Sequence, residues 1–363
     1  MKIGILTYHR AHNFGAVLQC YALKTVLSNF GHEVQVIDYR QPTIEAVYQY
    51  KASFNLRSFL REPIVEMNIY IKGLFYQHKK NYNKRKEIFE SFCKNYLNLS
   101  SQCGSNIQDI YDLYVIGSDM LWGAECMMGK FDPVYFGAFP HLKEHPVIGY
   151  AISSTPYSIE RLGKETNFEF LSGFKALSLR EYRLASMVEQ YTKRSIPVCL
   201  DPTLLTDNDI WSPLINQLWA ERKYILTYFI RLPKEDRKVI STKLKKFVSE
   251  GYEIINIDLG LSSEPIRVED FISMIKYAGY LVTDSFHGVV FSTIFHTPVH
   301  AVCLYDHGDV RYTNLLESLG LRDLLVERHF KPFIPDICFL DSDKRLSELQ
   351  KSSMDFLATN ICI

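Results

Sequence analysis

The sequence predicts an α/β protein with parallel sheets, organised in two halves. Three observations carry this. The first 40 residues read strand, turn, helix, strand, which is a βαβ opening. A second series of the same kind begins at Tyr224 and runs through the stretch Tyr280–His300. Between them, short apolar runs end in small or charged polar residues, as strands do when their carboxyl ends share one edge of a parallel sheet. The length, 363 residues, fits about two domains at roughly 150 residues each.

Ile3–Tyr8 is the first predicted strand, and His9 to Gly15 is a polar turn. Ala16 to Phe30 has helical spacing through Val17, Leu18, Tyr21, Ala22 and Val26. Gly31 supplies the C-terminal cap, and Glu33–Tyr39 is the second strand. The turn holds one glycine, so it is not a dinucleotide-binding loop. His9 and His12 are three residues apart, but no third ligand accompanies them, and no metal is expected. An insertion over about 41–110 differs in character. Ile64 to Leu97 reads as helical, aromatic and basic, with a basic run from His78 to Lys86. Its plainer reading is a solvated helical face. The other is peripheral contact with a membrane surface or an anionic glycolipid through about residues 60–97.

The α/β pattern resumes with Leu113–Ile116, which leads into Gly117-Ser118-Asp119. Val147–Ile152 leads into Ser153-Ser154, Ala176–Leu179 into Arg180-Glu181, and Val198–Leu200 into Asp201-Pro202-Thr203. A charge just past a buried strand pairs with something. For Asp119 and Arg180 that is a ligand or an internal ion pair. A linker is placed near Leu205–Pro213. Strands at Tyr224–Phe229, Glu253–Asp258, Tyr280–Thr283 and Val299–Val302 then alternate with helices at Lys234–Ser249, Arg267–Ala278 and Val289–Phe295. A further helix runs from Arg311 to Gly320. The tail from Asp341 reads as an amphipathic helix expected to pack back on the first domain. The expected divisions are residues 1–207, 208–330 and a tail over 331–363.

Composition narrows the function. Hydrophobic residues make up 47% and charged ones 23%, which is incompatible with global disorder. The formal net charge of zero gives no support for a nucleic-acid partner. The eight cysteines form no C-x-x-C pair and read as free thiols of a reducing compartment. The sequence holds no run of about 18 apolar residues and no signal-peptide core. A cytoplasmic protein is expected, with the inner face of the membrane as its other possible station. The sequence fixes no oligomeric state.

Chemistry is expected at Tyr280–His300. A strand, a polar turn Asp284–Gly288 and a helix leave N–H groups at the helix start, which with the helix dipole suit an anion. Gly288 is expected to let backbone approach it. His287 stands beside it as a proton carrier. The plainer reading of the same residues is a helix cap.

Several motifs occur in a fixed order. They are Asn13-Phe14-Gly15-Ala16-Val17-Leu18-Gln19, Gly117-Ser118-Asp119 with Trp122, Ser178-Leu179-Arg180-Glu181, Asp201-Pro202-Thr203 and Thr283-Asp284-Ser285-Phe286-His287-Gly288. In this the chain resembles the polysaccharide pyruvyl transferase family over about residues 1–40 and 110–325. The resemblance implies two Rossmann-like domains facing across a cleft, as in GT-B glycosyltransferases. It implies transfer of pyruvate from phosphoenolpyruvate to a galactose-like hexose as a cyclic ketal, with phosphate released. The setting it implies is a bacterial capsular or cell-surface polysaccharide precursor, the acceptor being a sugar on a lipid-linked glycan. On this reading His287 and Asp119 are catalytic. Arg180, Asn13, Gly15, Ser118, Ser153, Ser154, Ser285, Gly288 and Arg311 bind substrate. No cofactor or metal is called for, phosphoenolpyruvate being the donor substrate. Some members carry arginine where this chain has Ser285, which moves the donor's charge towards Arg180 and Arg311. A GT-B glycosyltransferase using a nucleotide sugar and a non-catalytic glycan-binding protein are the competing readings.

Overall fold

A computed structural model describes residues 1–48, 60, 63, 67, 70, 71, 74, 80–104, 106–140, 144–166, 168–206, 208–258, 263–306 and 308–361. The chain divides into two compact units, Met1–Leu205 with Ser352–Ile363, and Thr206–Lys351.

In the first unit the elements are β1 (Lys2–Leu6), α1 (Phe14–Asn29), β2 (Glu33–Val36), α2 (Pro42–Tyr48) and α3 (Lys80–Tyr96). They continue with β3 (Leu113–Asp119), β4 (Val147–Ile152), α4 (Pro156–Thr166), β5 (Ala176–Leu179) and α5 (Tyr182–Thr192). The sheet order is β2-β1-β3-β4-β5, and every pairing is parallel. Because helices cover both faces of such a sheet, its inner strands are continuous apolar runs rather than alternating ones. The runs Tyr114–Ile116 and Val147–Ile152 are buried throughout. Leu6, Ile116, Trp122, Ile152 and Leu179 belong to one apolar cluster of this unit.

The second unit holds β6 (Tyr224–Tyr228), α6 (Lys234–Leu244), β7 (Glu253–Ile257), α7 (Val268–Lys276) and β8 (Tyr280–Thr283). After these come α8 (Phe286–Phe295), β9 (Val299–Cys303), α9 (Val310–Leu319) and β10 (Leu325–Glu327). The order β10-β9-β8-β6-β7 is again wholly parallel. Read from the other edge it repeats the first unit's topology. Each sheet therefore has one point where the strand order reverses, between β1 and β3 and between β6 and β8. Ligands of open α/β sheets bind beyond the strand ends at such points. The last helix, α10 (Leu340–Ile361), begins in the second unit and ends in the first.

Some boundaries differ from expectation. β1 stops at Leu6, because the His9 N–H turns back to the Thr7 carbonyl at 2.9 Å. Val198–Leu200 forms only a bridge, Val198 to Leu179. The helix expected to reach Ser249 is α-helical to Leu244 and then tightens to a 3₁₀ turn over Lys245–Glu250. α8 starts at Phe286, three residues before its apolar run, which places His287 inside the first helical turn. β10 was not foreseen. The membrane-contact expectation for about 60–97 falls partly outside the described residues. Of those described there, α3 packs Phe92 and Tyr96 edge-on against Tyr21 of α1, at 6.2 and 6.1 Å. Among the described residues no helix is long and apolar enough to cross a membrane.

Candidate functional site

At the reversal point of the second sheet, β8 ends in Thr283 and the chain enters α8. Ser285 caps this helix, its Oγ accepting the Gly288 N–H at 3.3 Å. The Ser285 N–H itself donates to Thr283 Oγ1 at 3.0 Å. Two of the N–H groups expected to cradle an anion are thus engaged within the turn. Gly288 has a further reason to be glycine. A Cβ there would lie 2.7 Å from Thr283 Oγ1, so the missing side chain makes room for Thr283.

His287 is buried, with 8% exposure. The Phe286 ring meets its imidazole edge-on at 5.0 Å. On α9, the Arg311 guanidinium lies 5.8 Å from the centre of the same Phe286 ring. An imidazole and a guanidinium therefore share one aromatic neighbour at the start of α8. Of the expected site residues, His287, Ser285, Gly288 and Arg311 come together here.

Asp284, part of the same motif, has a role that the sequence did not disclose. Its carboxylate accepts the N–H groups of Ile230, Arg231 and Leu232 at 2.6, 2.8 and 2.6 Å. It ties the loop after β6 to the end of β8. Arg231 on that loop pairs with Asp306 and, at 2.7 Å, with Asp309. Burial works against the Asp309 carboxylate, but hydrogen bonds from Tyr312 and Arg231 outweigh it and hold its pKa below the ordinary value.

The first sheet's reversal point carries a buried polar network. Thr7 Oγ1 donates to the Ser118 carbonyl at 2.9 Å, and Gln19 Nε2 donates to Thr7 Oγ1 at 2.9 Å. Ser118 Oγ donates to the Ala151 carbonyl at 2.7 Å. Arg180 Nη2 donates to Ser118 Oγ at 2.5 Å and pairs with Asp201 Oδ2 at 2.8 Å. Asp201 also accepts the Thr203 N–H and hydroxyl, at 2.9 and 2.6 Å. Its 3₁₀ turn, Pro202–Leu204, packs against α1. The structure thus unites Arg180 and Ser118, and the ion partner of Arg180 is Asp201. Gly117 is fixed as glycine by φ +136°, with Tyr150 O only 2.1 Å from any Cβ.

The remaining expected residues are spread along the same sheet edge. Asp119 has φ +87°, and its Oδ1 accepts the Met120 N–H at 2.8 Å. Its carbonyl takes the Ser153 N–H at 2.9 Å. Ser153 Oγ donates to Glu181 Oε1 at 2.6 Å, and Ser154 Oγ to the Trp122 carbonyl at 2.6 Å. Asn13 caps α1, accepting the N–H groups of Gly15 and Ala16 at 2.9 and 3.4 Å. His9 is buried, with Nε2 3.0 Å from Asp38 Oδ1, while Arg10 grips both Asp38 oxygens at 2.7 and 2.5 Å. His12 stacks on Phe89 at 5.2 Å. Burial, aided by the Arg85 and Lys86 charges, lowers its pKa to about 3. Each of the two histidines thus has a partner of its own.

The fold and these sheet-end polar networks define a two-domain α/β protein of the GT-B type. A family model described as polysaccharide pyruvyl transferase matches residues 13–307. The chain belongs to the polysaccharide pyruvyl transferase family, whose members are transferases acting on polysaccharides. A search of curated proteins found no match. Among solved structures, a protein described as a UDP-N-acetylglucosamine 2-epimerase from Listeria monocytogenes aligns with TM-score 0.50 and 10% identity, over 98% of this chain and 90% of that one. A UDP-GlcNAc 2-epimerase from Methanocaldococcus jannaschii gives 0.49 and 11%, over 98% and 93%. A Streptomyces sp. SF2575 glycosyltransferase gives 0.42 and 14%, over 99% of both chains. At these identities the likeness concerns fold alone.

Proposed function

We propose that the protein transfers pyruvate from phosphoenolpyruvate to a galactose-like hexose of a cell-surface polysaccharide precursor, forming a cyclic ketal. One observation supports this above the rest. In a chain of this family, His287 and Arg311 flank Phe286 where β8 gives way to α8.

The chemistry needs anion holders and proton carriers. Phosphoenolpyruvate brings a carboxylate and a phosphate. Arg311 serves as the fork-shaped cation for one of them, and the positive end of α8 favours the other. C3 of the enol takes a proton from His287, and the C2–C3 double bond becomes a single bond. One sugar hydroxyl bonds to C2 and gives up its proton. The C2–O bond to phosphate breaks, with its electron pair leaving on phosphate. A second hydroxyl then bonds to C2 and closes the ring. Of the two protons that the hydroxyls lose, one replaces that spent on C3 and the other leaves with phosphate. Asp119 is assigned the second proton-carrying role. Arg180, already neutralised by Asp201, orders the first unit's strand ends and shares donor charge only through that pair. Nothing in this sequence of steps calls on a cofactor.

The test incubates the protein with phosphoenolpyruvate and a panel of β-hexosides, and follows phosphate release and the acceptor's mass. Phosphate release that depends on acceptor, with a pyruvyl-sized mass gain, is expected. Stabilisation by UDP- or CMP-sugars with none by phosphoenolpyruvate would replace this reading with glycosyl transfer.

A further inference from the structure

A second concave surface borders α9. A cavity of about 570 Å³ opens between the ends of β9 and β10 and the first turns of that helix. Its volume is within the ~300–1,000 Å³ usual for small-molecule sites. Tyr305, Thr313, Asn314, Arg322, Asp323 and Glu327 supply its polar wall. None of the roles assigned above uses them.

The wall's chemistry selects a ligand class. Asp309 also borders the cavity, but its oxygens are taken by Arg231, Tyr312 and the N–H groups of Leu304 and Tyr305. The charges left are the Asp323 and Glu327 carboxylates against Arg322, which itself lies 3.4 Å from Glu317. This excess of negative charge disfavours phosphoenolpyruvate or a nucleotide diphosphate. It suits neutral hydroxyl groups, which donate to carboxylates and exchange hydrogen bonds with Asn314 and Thr313.

Tyr305 completes the wall. The residue is 76% exposed, yet it is held at both ends. Its N–H donates to Asp309 Oδ2 at 2.6 Å, and its hydroxyl donates to Glu327 Oε1 at 3.2 Å. A fixed, exposed aromatic face offers large amphipathic contact at little entropic cost. Polar acceptors around one fixed ring are what a pyranose, apolar on its C–H face and polar at its rim, requires.

We propose that this cavity seats a neutral, non-reacting sugar unit of the acceptor glycan, with a hexopyranoside ring against Tyr305 and its hydroxyls on Asn314, Thr313, Asp323 and Glu327. The inference rests on the transferase reading and adds to it the acceptor's position. α9 connects the two sites, since Val310, Thr313 and Asn314 face the cavity while Arg311 lies against Phe286.

The experiment measures binding of methyl β-D-galactopyranoside and methyl β-D-glucopyranoside by saturation-transfer NMR titration. At least one should bind, and phosphoenolpyruvate should not displace it. Tyr305→Ala and Asn314→Ala should each weaken it by about tenfold, the scale of one good contact, while Tyr305→Phe should keep most of the affinity. Unchanged affinity in both alanine variants, or no binding of either glycoside, would overturn the proposal. Thermal stabilisation by phosphoenolpyruvate is read in parallel. If it persists while the glycosides fail to bind, the acceptor site is wrong and the donor reading stands. If it is absent while the alanine variants still lose glycoside affinity, the donor reading fails alone.

Discussion

Arg180→Leu removes the ion partner of a carboxylate that water does not reach. The side chains of Arg180 and Asp201 are 4% and 0% exposed, and their charged atoms lie 2.8 Å apart. Losing one member of a buried pair costs about 3–5 kcal/mol, because the other charge stays behind uncompensated. The Thr203 N–H and hydroxyl remain on Asp201, which favours the lower part of that range. For a domain of roughly 150–250 residues, each kcal/mol moves Tm by about 2–4 °C. A fall of about 6–12 °C is therefore expected by scanning calorimetry. Asp201→Asn should relieve much of the cost when added to Arg180→Leu, since neither member of the pair then carries charge. The double variant should melt above Arg180→Leu alone. A Tm for Arg180→Leu within about 2 °C of the wild type, at most about one kcal/mol, would refute the pairing. A raised KM for phosphoenolpyruvate with that unchanged Tm would return Arg180 to direct donor binding.

Further outcomes follow from the same geometry. His287→Asn should lower kcat by about 10²–10⁴, the usual worth of a positioned acid–base group, while stabilisation by phosphoenolpyruvate persists; an unchanged kcat would remove the assignment. Gly288→Ala should lower Tm although alanine is the better helix former by about 1 kcal/mol. Its Cβ would crowd Thr283 Oγ1 at 2.7 Å, and overpacking costs about 1–3 kcal/mol; a raised Tm would contradict this. Acid should destabilise the protein below about pH 6.5, the ordinary histidine value. Burial lowers His12 to about 3 and His300 to about 4, so below 6.5 the unfolded chain binds protons that the folded one refuses. Each fully buried group contributes at most about 1.4 kcal/mol per pH unit in that window. Asp38, whose pKa is depressed, adds its loss only at lower pH, as its carboxylate titrates. His12→Phe should flatten the Tm slope between about pH 6.5 and 5; an identical slope would exclude His12 as its source.

Much of the fold was legible because both sheets are parallel and covered. Val147–Ile152 and Tyr280–Thr283 are buried on both faces, and their uninterrupted apolar runs announce them. β10 was not legible, since three residues at a sheet edge, two half-buried and one exposed, form no pattern. The start of α8 was misplaced because its first turn is Phe286-His287-Gly288, a polar interruption that only the Ser285 cap makes helical. The site was legible in part. The motif around His287 could be found locally. Asp284 serves Ile230, Arg231 and Leu232, more than fifty positions away, and no local signal reports such a bond. Both a ligand and an internal ion pair were open for Arg180 on sequence grounds, and the Asp201 partner, 21 positions on, gave no local signal. Gly288 was expected to make room for an anion, and its packing against Thr283, which also requires glycine, was not foreseen.

Pyruvyl transfer requires that one sugar gains pyruvate at the expense of one phosphoenolpyruvate. The direct measurement is the ratio of phosphate released to pyruvyl ketal formed, with the ketal counted by its methyl signal in proton NMR of the acceptor. A ratio of one to one is expected, with both products lost together in His287→Asn. Phosphate released without a ketal methyl signal, or a ketal formed at an undiminished rate by His287→Asn, would contradict it.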